Sequence, residues 1–394
     1  MRARAVVAFT TALIAMLCAG LWLGGHPGKL PKFVRGPFVD SSAGLTAEAT
    51  ELIEDNYYRS VDQRELGNSS LQGMVRGLRQ RFHDRFSEYF SKENLERFNE
   101  EISGRFSGIG LSVTQVERGL RAERVFAGSP AARAGIEPGD VVVSVDGESI
   151  AGVSSEVATA KIKGPEGTDV VVGVLDPKSG KVRDVRLTRA QVSLPITTTK
   201  VKTVNGRKLG YVRLVTFSEG AHAALREAVE KVEREGAEGI VLDLRGNGGG
   251  LLDEAVLSAS VFMPKGKLVV STDSRTQGHS AYRTVGGNLP RRPVVVLIDR
   301  NTASAAEILT AALADDIGAP VVGTRSYGKG VFQQEVGLSN GGALKLTIGE
   351  YFTPKGVNLA GKGIHPDVPA RDDPQTKADE GMQRALEVLA HQQG

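Results

Sequence analysis

Three mainly apolar runs, each closed by a turn and followed by a helix-forming stretch, constrain this chain more than any other feature. They are Gly210-Tyr-Val-Arg-Leu before Ala221 to Glu235, Gly239-Ile-Val-Leu-Asp-Leu before Leu252 to Phe262, and Pro293-Val-Val-Val-Leu-Ile-Asp before Ala303 to Asp316. A strand apolar at nearly every position is covered on both faces, and strands that alternate with helices build parallel sheets. Residues 191–370 are therefore expected to form an α/β core, with a surface helix, Asp373 to Gln393, closing the chain within 371–394.

Upstream the pattern changes twice. Between 104 and 190, short alternating runs such as Asp140-Val-Val-Val-Ser-Val and Asp169-Val-Val-Val-Gly-Val are separated by Gly, Pro and Asp turns, with one short helix at Ser155 to Ile162. That is a compact β-rich module. Between 45 and 103, Leu45, Ala49, Leu52, Ile53 and then Leu71, Met74, Val75, Leu78 and Phe82 recur at helical spacing, which predicts a small helical domain. Residues 26–44 read as a Gly/Pro/Ser linker. Residues 1–25 hold the uncharged stretch Val6 to Leu23, whose 18 residues fit a membrane anchor slightly better than the core of a cleaved signal. Both readings stay open, and both put the bulk of the protein outside the cytoplasm.

Composition excludes several classes. Lys plus Arg is 49 against 46 Asp plus Glu, a net charge of +3, so nothing suggests a nucleic-acid binder. Cys18 is the single cysteine and the six histidines never sit at ligand spacing, so neither a disulfide nor a metal site is expected. Gly246-Asn-Gly-Gly-Gly-Leu251 lacks the third glycine of a dinucleotide loop. Gly323-x-x-x-x-Gly-Lys329 is followed by Gly330 and a strand-like run, not by the Ser/Thr and helix of a phosphate loop. No metal or organic cofactor is implied.

Three stretches carry candidate chemistry. Ser304, in Asn301-Thr-Ala-Ser-Ala-Ala-Glu307, falls between a buried strand and a helix, where first-turn amides can hold an oxyanion. The same residues fit the S-x-x-E capping box, so Ser304 reads either as a nucleophile or as a helix cap. A nucleophile needs a base. Lys329 fits if burial depresses its pKa enough to leave a neutral amine, with a solvated loop lysine as the bland alternative. His365 is the weaker candidate. The glycines after Leu242-Asp-Leu-Arg would expose amides at a sheet end, or form a plain strand-to-helix turn.

Asp-Leu-Arg-Gly-Asn-Gly-Gly-Gly, Asn-Thr-Ala-Ser-Ala-Ala-Glu-Ile and Tyr-Gly-Lys-Gly-Val-Phe-Gln occur in that order, after a PDZ-like run from Gly128 to Gly147. The set resembles the C-terminal processing (tail-specific) peptidases, serine proteases with a Ser/Lys dyad, over about 45–370. The resemblance implies a crotonase-like α/β protease core with an inserted PDZ domain and an N-terminal helical domain. It implies Ser304 as nucleophile, Lys329 as general base and Gln333 as the residue orienting the lysine. If Lys329 lay on a strand, it would share a face with Gln333. The oxyanion amides would be those of Ala305 and of Gly250 or Gly249. Ser107-Gly-Ile-Gly-Leu resembles a carboxylate-binding loop, so Gly108, Ile109, Gly110 and Leu111 would grip a peptide's C-terminus, which would add as a strand. Ala306 and Lys163 stand where the family often has Ser and Arg, which puts PDZ-dependent regulation in doubt.

The expected function is thus an endopeptidase, exported and anchored or secreted, that captures protein C-termini and cleaves through an acyl-enzyme. Its partners would be protein substrates and, through the N-terminal segment, a membrane; a homo-oligomer stays open. The rivals are a non-catalytic PDZ adaptor on a protease-like scaffold and an acyl-CoA enzyme of the crotonase type.

Overall fold

Residues that alternate between the two faces of a buried strand need an apolar partner on each side, and the computed structural model shows both. It describes residues 41–193, 195–373 and 375–392, together with 9, 12–17 and 20. Most of the expected anchor or signal, 1–25, and most of the linker lie outside those residues. Among the described residues no helix is long and apolar enough to cross a membrane. The chain divides into two units, Met1–Ser91 with Glu335–Leu346, and Lys92–Gln334 with Thr347–Gly394.

In the first unit, α1 (Ser41–Asn56) begins inside the stretch read as linker, followed by α2 (Gln63–Phe82) and β1 (Glu88–Phe90). Asp62 caps α2 by accepting the Arg64 N–H at 2.7 Å, satisfying one orphan donor of the first turn. β1 pairs antiparallel with Ala343–Lys345, and the Tyr89 hydroxyl donates to Asn68 at 2.6 Å.

The second unit opens with α3 (Lys92–Ser103), so the helical region expected over 45–103 is shared between the units. β2 (Arg105–Gly108) follows, then β3 (Leu111–Val116), β4 (Gly119–Val125), α4 (Pro130–Arg133), β5 (Val141–Val145), β6 (Glu148–Ser149), α5 (Ser155–Ile162), β7 (Asp169–Leu175), β8 (Val182–Thr188) and β9 (Ala190–Ser193). Strands order as β3-β4-β5-β7-β8, with β6 on β5, while β2 pairs separately with β9. Alternate residues Val170, Val172 and Val174 enter a core with Leu120, Val142, Ile150 and Ala158. Ser154 accepts the Val157 N–H and starts α5 at the predicted residue.

The remaining elements are β10 (Thr197–Val204), β11 (Arg207–Leu214), α6 (Ala221–Arg234), β12 (Ile240–Asp243), α7 (Leu252–Phe262), β13 (Leu268–Ser274), β14 (Gly278–Arg283), β15 (Val294–Ile298), α8 (Ala305–Ile317), β16 (Val321–Gly323), β17 (Val331–Gly337), β18 (Ala343–Phe352), β19 (Val368–Pro369) and α9 (Glu380–His391). The central sheet orders β10-β11-β12-β15-β16-β19, antiparallel at β10–β11 and parallel thereafter. Val212, Leu214, Ile240, Leu242, Val294, Val296 and Ile298 face a core with α6, α7 and α8. The intervening Leu209, Tyr211, Val241, Val295 and Leu297 pack on Ala385, Leu386 and Leu389 of α9. The closing helix is therefore a cover of the sheet with a buried face, and it starts at Glu380, later than expected.

Polar residues fix α9 to the sheet as well. Arg245 bridges the fully buried Asp243 at 2.7 Å and the α9 cap Asp379 at 2.8 Å. Burial opposes the arginine's charge, but hydrogen bonds to Asp243 and Asp379 outweigh it and push its pKa up. Removing one partner of a buried pair strands the other's charge, at a cost of about 3–5 kcal/mol. Arg245→Met is therefore expected to lower unfolding stability by roughly that amount in urea titration, and to make the amides of α9 exchange first with deuterium.

Candidate active site

Three neighbouring parallel strands, β12, β15 and β16, end on the same side of the sheet, and ligands of such sheets gather beyond the carboxyl ends of their strands. Each end leads into one of the stretches singled out in the sequence: the glycine loop 244–251, the serine turn 299–304, and the lysine loop 324–330.

Short backbone bonds hold the loops together. The Ala303 N–H donates to the Asn247 carbonyl at 3.0 Å, and the Tyr327 N–H to the Thr302 carbonyl at 2.9 Å. Asn247 is buried and donates to the Leu214 carbonyl at 3.0 Å. Ser304 itself has φ +57° and ψ −121°, outside the regions open to ordinary side chains, at a cost of about 1–3 kcal/mol. It is the residue before the first turn of α8, partly exposed, so it presents its side chain where strand becomes helix.

What sustains that conformation is Glu307, fully buried at 0% exposure. Its Oε2 accepts the Ser304 and Lys329 N–H groups, both at 2.9 Å, and its Oε1 accepts the Ser326 hydroxyl at 2.5 Å and the Gly328 N–H at 2.8 Å. The S-x-x-E spacing marks this residue as a helix cap. The sequence gives no sign that the same carboxylate reaches across to the lysine loop. The capping bond of Glu307 is made to the backbone N–H of Ser304.

Lys329 is half-buried and lies two residues before β17 rather than on a strand. The contact expected from strand geometry exists all the same: its Nζ donates to Gln333 Oε1 at 2.7 Å, and Gln333 Nε2 donates to the Thr347 hydroxyl at 3.2 Å. His365 is exposed and lines a separate cleft with Asp315, Lys355 and Asp367.

The oxyanion candidates separate on hydrogen bonding. The Gly249 N–H is taken by Asn247 Oδ1 at 2.9 Å. Gly250 forms a parallel bridge with Phe217, in which the Gly249 carbonyl and the Leu251 N–H face that residue, turning the Gly250 N–H the other way. Among the described residues neither it nor the Ala305 N–H has an acceptor. Gly249, at φ +102°, is nevertheless indispensable: a Cβ there would lie 2.7 Å from Ser304 Cβ and 3.0 Å from the Ala305 nitrogen.

The β-rich module carries its own cavity, about 390 Å³, lined by Phe106, Gly108, Ile109, Gly110, Leu111 and Ile162. One wall is β3, which among the described residues pairs only with β4 and so offers a free edge. Lys163 caps α5 at the cavity and pairs with Glu100 of α3 at 2.9 Å, with its Nζ 5.7 Å from the Phe106 ring centre.

Comparison with known proteins agrees with this layout. Residues 208–370 match the model of peptidase family S41, and 121–175 that of the PDZ domain. The carboxy-terminal processing protease CtpA of Bacillus subtilis is 32% identical over 331 residues, 84% of this chain and 69% of that protein. A "Probable CtpA-like serine protease" of Staphylococcus aureus is 36% identical over 324 residues, and the chain spans 62% of its length. The solved photosystem II D1 C-terminal processing protease superposes with a TM-score of 0.51 at 29% identity, over 88% of this chain and 98% of that one.

Because four donors converge on one carboxylate, Glu307→Gln would turn an NH₂ group toward two of them. Leaving two buried donors unpaired costs about 1–3 kcal/mol each. The variant is expected to lose about 2–6 kcal/mol in urea unfolding on that account, while peptide affinity of the PDZ module stays unchanged by calorimetry.

Proposed function

Given that the chain belongs to peptidase family S41, we propose that it is a serine endopeptidase of the C-terminal processing type, acting outside the cytoplasm. The export reading rests on the apolar run Val6 to Leu23. The observation that carries the catalytic reading is the shared oxygen: Glu307 Oε2 binds the amides of both Ser304 and Lys329, while Gln333 holds the lysine's Nζ at 2.7 Å.

In this mechanism a neutral Lys329 takes the proton of the Ser304 hydroxyl as Oγ attacks the scissile carbonyl. The amides of Ala305 and Gly250 receive the negative charge that develops on the carbonyl oxygen, where preorganised donors are most effective. The proton passes from Lys329 to the departing amine, and water then releases the acyl group by the same steps reversed in role. Gln333, itself anchored on Thr347, fixes where the amine points.

The PDZ module would select the substrate. A peptide adding to the free edge of β3 gains main-chain hydrogen bonds with little demand on sequence. The amides at Gly108 to Leu111 would bind its terminal carboxylate, and the apolar lining of Phe106, Ile109, Leu111 and Ile162 favours an apolar last residue. Lys163 adds a positive charge at the rim, balanced by Glu100 in the free protein.

The test is cleavage of an unfolded protein with an apolar C-terminus by wild type, Ser304→Ala and Lys329→Ala. Both variants are expected to fall by roughly 10³-fold or more in kcat, as when a member of a catalytic unit is lost. Amidating the substrate's C-terminus is expected to raise KM with kcat little changed. Equal cleavage by wild type and Ser304→Ala would remove the catalytic assignment.

A further inference from the structure

Alternate residues of a strand share a face, so Thr347, Gly349 and Tyr351 of β18 look the same way. Thr347 holds Gln333. Gly349 makes room for Phe332, whose ring would lie 2.6 Å from a Cβ there. Tyr351 is tied to the lysine loop: its N–H donates to the Gly330 carbonyl at 3.1 Å, and the Asn358 amide donates to the carbonyls of Gly330 at 3.0 Å and Tyr351 at 3.2 Å.

Its side chain is anomalous. Tyr351 is 2% exposed, and among the described residues its hydroxyl has no hydrogen-bond partner. The Ser304 hydroxyl and the Glu307 carboxylate are near enough to act on it. Both Glu307 oxygens already accept two donors each, so of these two groups Ser304 is the one left to accept. A buried hydroxyl left unpaired costs about 1–3 kcal/mol, a cost that phenylalanine would avoid.

We propose that Tyr351 is a further catalytic residue, whose phenol donates a hydrogen bond to Ser304 Oγ as the acyl-enzyme forms and breaks. The inference rests on Ser304 being the nucleophile. In the attack, the Oγ proton goes to Lys329 Nζ, one Oγ lone pair forms the bond to the carbonyl carbon, and the carbonyl π pair moves onto its oxygen. The second Oγ lone pair accepts the Tyr351 O–H, which keeps its proton throughout. In deacylation the same donor stabilises Oγ as it leaves with the bonding pair and recovers its proton from Lys329. Burial, and after it the Glu307 charge, raise the phenol's pKa well above its ordinary value, with Ser304 offsetting part of this, so the group serves as a donor and not as a base.

The experiment compares wild type, Tyr351→Phe and Ser304→Ala in fluorophosphonate labelling, steady-state cleavage and urea unfolding. Tyr351→Phe is expected to lower kcat and the labelling rate about 100-fold, the low end for losing one preorganised donor. KM is expected to hold within about twofold and the unfolding midpoint to stay or rise, since the ring is kept and only an unpaired hydroxyl is lost. Replacing Tyr351 by 3-fluorotyrosine, which retains the O–H, is expected to restore the rate. Wild-type labelling by Tyr351→Phe, with Ser304→Ala inert, would overturn this inference alone. So would a loss that 3-fluorotyrosine fails to rescue. Full activity of Ser304→Ala would instead overturn the serine reading, and this inference with it.

Discussion

A single buried carboxylate holds the site together. Removing a carboxylate from water costs several kcal/mol unless hydrogen bonds replace the lost hydration. Glu307 is repaid by four donors, two on each oxygen, drawn from the serine turn and the lysine loop. Because the charge needs all of them, neither loop can drift without stranding it. The strained backbone of Ser304 is held by the same bond that caps α8. Strain in the serine turn and order in the lysine loop are therefore one energetic event, which couples Ser304 and Lys329 through their backbone N–H groups across 25 positions of sequence.

Much of this was legible, for reasons that differ by element. The parallel strands were readable because burial on both faces removes polar residues from almost every position, as at Val294 to Ile298. The start of α5 at Ser155 followed from its serine cap, and α7 was recovered over Leu252–Phe262. The ordered motifs single out Ser304, Lys329 and Gln333 as candidates. The geometric premise for the last pair did not hold, since Lys329 precedes β17, yet the long lysine side chain reaches Gln333 from the loop.

What escaped was what depends on pairings distant in the chain. Glu307 carried a local signal, its capping spacing, and that signal concealed its second role. Tyr351 carried none: in Gly349-Glu-Tyr-Phe-Thr-Pro it reads as an ordinary strand aromatic, and only burial beside Ser304 sets it apart. The closing helix looked like a surface element because its buried stripe is narrow, Ala385, Leu386 and Leu389, and Arg245 pairs with its cap residue from 134 positions away. The chain holds 48 glycines among 394 residues, above ordinary usage. The local meaning of Gly249 depends on the serine turn lying against it, which no window of sequence contains.

The orientation of the glycine loop depends on the whole sheet. Gly250 can direct its N–H away from Phe217 only while the bridge to that residue persists, and the loop bearing it is fastened at both ends. On one side Asn247 holds Gly249 and the Leu214 carbonyl. On the other, Arg245 locks the strand end at Asp243 to Asp379 on the opposite face of the sheet. Burial works against the Asp379 charge, but the Arg245 guanidinium and the Met382 N–H keep its pKa below the usual range. That bond is present at neutral pH and is lost only as acid protonates Asp379 below its lowered value. A helix packed on the sheet thereby helps fix the direction of the Gly250 amide. Rigid donors act at no reorganisation cost when charge develops, so under the proposed mechanism the loop's immobility is what α9 would contribute.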